Sequence, residues 1–330
     1  MKAVSFYQSL PIEDPQSFVD VSVEVPRPRP RDLLVEVRAI SVNPVDAKIR
    51  GGGGPARPDG QLPILGWDAA GVVTEIGPAV TLFQPGDEVY CAGSVDRPGS
   101  YAEFLCVDER IAGRKPRSPG FAEAAALPLT TITAWEMLFD RLRLDKSTAG
   151  ALLILGGAGG VGSIATQLAR QLTHLTVIAT ASRPETVQWC SRMGAHHVID
   201  HRQPLAGQVR GIVPDGVNYV LALTKVEDHF DELIEAMAPQ SAMALIENPA
   251  RPLDITRLKP KSISLHWEFM FTRSRYETPD MGQQGRLLNE VAALVDAGRI
   301  LSTLQTNLGA INATNLKRAH ALDSGGLKLG

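Results

Sequence analysis

The stretch that most constrains this chain is Ala151-Leu152-Leu153-Ile154-Leu155-Gly156-Gly157-Ala158-Gly159-Gly160-Val161-Gly162. An apolar run of strand length enters a glycine turn, and a helical pattern leaves it. Gly157, Gly159 and Gly162 make G-x-G-x-x-G. Gly157 is expected to permit the sharp turn, Gly159 to let backbone approach a pyrophosphate, and Gly162 to let the helix lie close to the strand. N–H groups of the opening helical turn, at Gly160, Val161 and Gly162, would face the phosphates, where the helix dipole favours negative charge.

The motif is weak alone, but its flanks are the required ones. Ile164, Ala165, Leu168, Ala169 and Leu172 form one apolar stripe at helical spacing. A second buried-strand run, Leu175-Thr176-Val177-Ile178-Ala179-Thr180-Ala181, completes a β-α-β unit. The competing reading, a glycine-rich surface loop, has both flanks against it.

At 330 residues the chain is long enough for two domains and a large core. A net charge of -3 gives no reason to expect nucleic acid or an anionic membrane as partner. No apolar run approaches the roughly 20 residues of a membrane span. The start, Met1-Lys2-Ala3-Val4-Ser5-Phe6, reads as a strand and carries no signal-peptide pattern. Cys91, Cys106 and Cys190 are too few and too scattered for a disulfide framework. The expected compartment is a reducing cytoplasm.

Before the glycine motif the chain is β-rich. Val21, Val23 and Val25 alternate with polar residues, as do Leu33, Val35 and Val37. Gly51 to Gly54 reads as a loop, either a plain linker or a flap over a cleft. Further strands are expected at Gly71–Gly77, at Glu88-Val89 and over Ser100–Leu105, with glycine and proline turns between them. Helices follow at Phe121–Leu127 and Thr131–Leu142. After the motif, helix is expected over Glu185–Met193, Val226–Met237, Leu287–Val295 and Asn312–Leu322. Strands are expected at His197–Asp200, Val217–Leu223 and Ala242–Ile246. Alternation of this kind means a parallel sheet covered by helices.

Several segments taken together resemble the medium-chain dehydrogenase/reductase superfamily. They are Val42-Asn43-Pro44-Val45-Asp46, Gly71-Val72-Val73, Gly86-Asp87-Glu88-Val89, Ala126-Leu127-Pro128-Leu129-Thr130 and the Gly156–Gly162 loop. The zinc-free quinone-oxidoreductase-like branch is the nearer match. Ala179–Thr186 and Trp267-Glu268-Phe269-Met270-Phe271-Thr272 resemble the narrower group of zinc-type alcohol dehydrogenase-like proteins. The resemblance implies an α/β chain: a GroES-like β-rich catalytic domain, residues 1–122 and 273–330, and a Rossmann doubly wound parallel-sheet domain, residues 123–272. It also implies a homodimer and a closing strand, where Gly325–Gly330 is altered or short.

The superfamily's zinc enzymes use a cysteine, a histidine followed by a glutamate, and a second cysteine. By the resemblance, Asn43 stands at the first position, Trp67-Asp68 at the histidine–glutamate pair, and Leu127–Thr130 spans the last. Zinc needs converging thiolate, imidazole or carboxylate donors, and Asp68 alone is not such a set. No metal is expected.

NAD enzymes place an acidic residue at the end of the second strand for the ribose 2′-OH. Here that strand ends Ala181-Ser182-Arg183. Arginine and a hydroxyl suit the 2′-phosphate of NADPH. Ser182 with Glu185 also fits a capping box for the next helix, and both readings of Ser182 stand.

Without a metal, a carbonyl must be polarised by hydrogen bonds. In the family the Asn43 segment faces the nicotinamide, so Asn43 and Lys48 are the catalytic candidates, with Asp46 tying down the loop. Trp67, Phe269 and Phe271 are expected at the substrate pocket, the two phenylalanines alternatively packing between subunits, while Thr130, Thr131 and Ile246 join the cofactor residues. The expected function is NADPH-dependent reduction of quinones or α,β-unsaturated carbonyls. The alternatives are a zinc-type alcohol dehydrogenase and a low-turnover NADPH-binding module.

Overall fold

The computed structural model describes residues 1–53 and 62–324; the expectations for Gly54 and for the closing segment Gly325–Gly330 lie outside the described residues. The chain forms two compact units. One contains Met1–Ile132 and the chain from Phe271 onward, and the other is Thr133–Met270.

The first unit opens with an antiparallel pair, β1 (Lys2–Ser5) and β2 (Val19–Ser22). The alternation through Val25 predicts a longer second strand, but Val25 is exposed and unpaired with β1, whose register ends at Lys2↔Ser22. β3 (Asp32–Ser41) is the long strand of this unit. Its first half is buried through Leu33, Leu34 and Val35. A short helix, α1 (Pro44–Lys48), follows, and Ile49–Gly53 closes it in a wide turn with Gly52 at φ +97. Then come β4 (Asp68–Ile76), β5 (Glu88–Cys91), β6 (Phe104–Asp108) and β7 (Ala112–Arg114). With β3 they make an antiparallel sheet in the order β6-β3-β4-β5-β7. Register places Ser41 opposite Asp68 at one end of the β3–β4 ladder. Leu33, Val35, Val73, Val89, Leu105 and Val107 form its core, as alternating residues of a half-buried sheet should. Two helices, α2 (Phe121–Ala125) and α3 (Pro128–Trp135), complete this stretch; proline at the first position of α3 loses no helical bond.

The second unit is built on a parallel sheet. β8 (Ala149–Leu155) leads through the glycine loop to α4 (Gly160–Leu172) and β9 (His174–Thr180). Then follow α5 (Pro184–Arg192), β10 (His197–Ile199), α6 (Leu205–Arg210), β11 (Val217–Ala222), α7 (Val226–Ala236), β12 (Met237–Leu245) and β13 (Ser264–Trp267). Strand order is β10-β9-β8-β11-β12-β13, every described pairing parallel. The order reverses at β8, as in a doubly wound sheet, where ligands bind beyond the carboxyl ends of the strands. Leu152, Leu153, Ile154 and Leu155 are all buried, the continuous apolar run of a strand covered on both faces. Each such side chain contributes about 1.5–3 kcal/mol on burial.

The chain then returns to the first unit with α8 (Thr272–Arg275), α9 (Gln283–Asp296) and α10 (Ala313–Ser324). Leu287, Leu288, Val291 and Val295 give α9 its buried stripe. The helix lies so close to β7 that a Cβ at Gly285 would stand 2.8 Å from the Ala112 carbonyl oxygen. Tyr90 on β5 donates its hydroxyl to the Leu288 carbonyl at 2.6 Å.

Candidate functional site

The glycine loop is a backbone device. β8 ends at Leu155, and the left-handed turn falls on Gly156, with φ +86. This corrects the expectation for Gly157. That residue is required for a different reason: a Cβ there would stand 2.7 Å from the Ala179 Cβ of β9. At Gly162 a Cβ would meet the Gly156 carbonyl oxygen at 2.5 Å, so the opening of α4 lies directly against the glycine loop. Gly156 and Gly157 donate their N–H groups to the Thr180 hydroxyl and carbonyl at 3.0 and 3.2 Å. Gly159 caps α4, and Ser163 N–H is bonded back to Gly159 at 2.8 Å. The N–H groups of Gly160, Val161 and Gly162 therefore belong to the opening turn, where the first four donors of a helix have no intrahelical acceptor. Such a turn fits a pyrophosphate.

Beyond β9, Ser182 is half-buried and Arg183 exposed. The expected Ser182–Glu185 capping box is displaced by one residue. Arg183 is the N-cap; its N–H donates to Thr186 Oγ1 at 3.2 Å, and the Thr186 hydroxyl donates to the Arg183 carbonyl at 2.9 Å. Proline at 184 sets this start, because it fits the first helical position. Glu185 Oε1 stands 3.2 Å from Arg183 Nε. Both side chains are more than half exposed, so the pair is weak and exchangeable. Just past the neighbouring β10, the carboxylate of Asp200 is taken by Arg202 at 2.7 Å, which holds it down at about 2. Ile246 follows the last residue of β12 at the carboxyl end of the sheet.

In the first unit, Asn43 is clamped at both ends. It caps α1, and its backbone N–H donates to Asp46 Oδ2 at 2.8 Å. Its side-chain Nδ2 donates to Asp68 Oδ2 at 2.8 Å. Asp68 also accepts the Ser41 hydroxyl at Oδ2 and the Leu129 N–H at Oδ1, each at 2.8 Å. Burial pushes its carboxyl up to about 7, against the opposing pull of the Asn43, Leu129 and Ser41 donors. Asp46 in turn accepts the Tyr101 hydroxyl at 3.1 Å, and Tyr101 stands 3.0 Å from His320 Nε2 on α10. Burial, with Arg50 nearby, lowers His320 to about 3 and keeps it neutral. Lys48, at the last turn of α1, is exposed.

The other predicted residues sort clearly. Trp67 is 1% exposed, donates its indole N–H to the Ser94 carbonyl at 2.9 Å, and packs edge-on to Phe271 at 5.7 Å. Phe269 belongs to the second unit and is 45% exposed. Thr130 donates to the Leu127 carbonyl at 3.0 Å. Thr131 is fully buried, and its hydroxyl has no hydrogen-bond partner among the described residues. Sequence reasoning missed Asp68 as a hub, seeing it only as an insufficient metal ligand. It also missed a buried carboxyl pair in the second unit, Glu136 and Glu268. Burial and Glu136 push Glu268 up to about 9, while Arg141 approaches at 2.7 Å.

A nicotinamide dinucleotide fits the second unit: the glycines hold a tight strand-to-helix turn, and the opening turn of α4 offers N–H donors. Zinc does not fit the first. Asn43 and Trp67 are not metal donors of the required type, and Asp68 already accepts three hydrogen bonds through its two oxygens. Among the described residues no three His, Cys, Asp or Glu side chains group as a metal ion needs.

Two family models match. Residues 29–128 match the alcohol dehydrogenase GroES-like domain, and residues 160–283 match the zinc-binding dehydrogenase family. A zinc-type alcohol dehydrogenase-like protein of Staphylococcus aureus is 38% identical, over 98% of this chain and 96% of its own. A protein from Rhizobium etli, provisionally named a zinc-dependent alcohol dehydrogenase, has a crystal structure that superposes with a TM-score of 0.95. It is 52% identical and covers 100% of this chain, which covers 96% of it. A chloroplastic NADPH-dependent alkenal/one oxidoreductase of Arabidopsis thaliana is 38% identical over 190 residues, 56% of this chain and 48% of its own. With a GroES-like antiparallel unit, a Rossmann-like parallel unit and relatives of this similarity, the chain belongs to the medium-chain dehydrogenase/reductase superfamily of oxidoreductases, alongside the zinc-type alcohol dehydrogenase-like proteins.

Proposed function

We propose that the chain is an NADPH-dependent reductase of quinones or α,β-unsaturated carbonyls that works without a metal. The observation that carries this reading is the Asn43–Asp68 pair, a buried amide and carboxylate where zinc relatives place ligands. The name of the Arabidopsis relative, an NADPH-dependent alkenal/one oxidoreductase, agrees with it. NADPH, when bound, supplies the hydride. The N–H groups of Gly160–Gly162 would hold its pyrophosphate, with Gly159 leaving room for it and Gly157 keeping the turn close against β9. Ser182 and Arg183 take the 2′-phosphate, a charge-assisted pairing that replaces Glu185 on the guanidinium. Thr130, Thr131 and Ile246 complete the cofactor residues, and Thr131 has a buried hydroxyl to offer.

Negative charge builds on the carbonyl oxygen of the substrate. Because Asn43 Nδ2 is already given to Asp68, its part is to anchor α1. Lys48 at the end of that helix then supplies the positive charge and, with water, the proton. Trp67 and Phe271 back the substrate side, and Phe269, 45% exposed, is the side chain we assign to contact with a second copy. Trp267 on the edge strand β13 is 50% exposed beside it, which supports a homodimer. No helix among the described residues is long and apolar enough to cross a membrane, which is compatible with the proposed cytoplasmic location. The domain limits proposed are 1–122 with 273–330 for the catalytic part and 123–272 for the cofactor part.

The test compares 9,10-phenanthrenequinone, a simple enone and ethanol, each with NADP(H), on protein analysed for zinc. Turnover of quinone or enone with no dependence on zinc is expected. Reaction of ethanol alone, lost on chelation, would establish the zinc dehydrogenase instead. NADPH binding with no turnover of any of the three would leave a binding module.

A further inference from the structure

Asp68 does more than fill the position of a lost ligand. It is the first residue of β4 and is fully buried. Its two oxygens face different elements. Oδ2 takes Ser41 from the end of β3 and the Asn43 amide from the cap of α1, both at 2.8 Å. Oδ1 takes Leu129 N–H at 2.8 Å, in the opening turn of α3, the helix that carries Thr130 and Thr131. Negative charge is favoured there by the helix dipole as well as by the bond. The Asp68 carbonyl accepts the Ser100 hydroxyl at 2.8 Å, which fixes the backbone from a fourth side. Every side-chain donor to the carboxylate is neutral.

We propose that Asp68 is a positioning residue of the reductase site, its two carboxylate oxygens holding the α1 arm and the α3 arm at a set separation. The inference rests on the proposed reductase function. An acceptor-only carboxylate is what this place requires, because three donors converge on it. An amide in its stead would turn a donor toward either Leu129 or Asn43. The arms would then part although nothing that touches substrate had changed. The titratable groups nearest it are Cys91 on β5, Asp46 on α1, bonded to the Asn43 backbone, and Tyr101 next to Ser100; Lys48, at the far end of α1, is exposed. The Cys91 thiol is pushed up to about 12 by burial, with a contribution from the Asp68 charge, so it stays neutral.

The experiment uses the full chain, NADPH and 9,10-phenanthrenequinone, with ¹H–¹⁵N spectra of the Leu129 amide and the Asn43 side-chain amide across pH. Asp68→Asn is expected to lower kcat by about 100-fold, the scale of an ångström's misplacement, with KM held within about threefold. The wild-type kcat rises with pH as Asp68 ionises, and Asp68→Asn loses that limb. In the wild type the Leu129 and Asn43 signals titrate with one shared midpoint. Ser41→Ala removes a single hydroxyl and keeps the fold. It moves the midpoint upward, because one donor to the charged form is gone. If Asp68→Asn does not fold, Ser41→Ala and the wild-type spectra carry the test. Separate midpoints for Leu129 and Asn43, or a midpoint unmoved in Ser41→Ala, would overturn the inference. If NADPH binds and no quinone or enone is reduced, the reductase reading fails, while a shared midpoint still supports the two-armed hold and separate ones still overturn it.

Discussion

The two candidate sites are made of different material. In the second unit the cofactor cradle is backbone: a left-handed Gly156, close approaches at Gly157 and Gly162, and the N–H groups of one helical turn. In the first unit the cluster is side chain: Ser41, Asn43, Asp46, Asp68 and Tyr101, drawn from β3, α1, β4 and the chain before β6. A backbone site tolerates no added atoms and is indifferent to pH. A side-chain site of buried carboxylates tolerates changes of shape better than changes of proton count. The contrast can be attacked from both ends.

The largest effect is expected from pH. Burial raises the Asp68 carboxyl to about 7, whereas an unfolded aspartate titrates near about 3.9. The native state therefore holds the proton to higher pH, and stability falls as pH rises from about 4 to about 7, by on the order of 4 kcal/mol. Glu268 acts with the same sign, so the quantity to measure is the difference between wild type and Asp68→Asn in urea denaturation across that range. A constant difference would mean that Asp68 is ionised throughout.

Next is Gly162→Val. Its Cβ would meet backbone at 2.5 and 2.8 Å, which cannot be relieved by a rotamer. A loss of about 1–3 kcal/mol in stability is expected from overpacking, with NADPH binding abolished in fluorescence titration. The pH response of Asp68 should survive in this variant, which is what separates the two sites. Arg183→Ala should weaken NADPH by about 1.5–3 kcal/mol, the range for a hydrogen bond to a charged group, and leave NADH unchanged. Equal affinity of the wild type for both cofactors would remove the role given to Arg183. The smallest effect is Glu185→Gln. Its exposed ion pair contributes about 0–1 kcal/mol, so melting should scarcely move, while NADPH binds slightly tighter because the guanidinium is free to receive it.

The same contrast explains what was legible beforehand. The cradle shows in sequence because steric demands on a backbone leave glycines at fixed spacing, and the long buried strands show as apolar runs. Even so, the turn sits one residue earlier than the motif suggests, since Gly156 precedes the formal G-x-G-x-x-G. The helix cap also sits one residue later than Ser182, since Pro184 decides it. β13 escapes notice: Ser264-Leu265-His266-Trp267 is only four residues long and lies at an edge. Asp68 was visible as a residue but not as a hub. Its partners at 41, 43 and 129 converge only once β3 and β4 pair and α3 begins beside them. Asn43 was found as a site residue, yet which way its amide points depends on a carboxylate that no local pattern connects to it.

One feature of the first unit bears on how the chain is made. Tyr101 and His320 meet across 219 residues, and Tyr90 and Leu288 across 198. Thr133–Met270 is contiguous and leaves the ribosome before the helices at 283–296 and 313–324 exist. Domains generally fold as units during synthesis, so the cofactor cradle can be complete while the Asn43 cluster still lacks its closing helix. Bringing distant ends together costs more as the intervening chain lengthens, though slowly, and an already folded insert shortens the free chain. If the proposed function holds, nascent protein would bind dinucleotide before the Asn43 cluster is closed, and a chain that stalls short of residue 320 would bind cofactor without reducing a substrate.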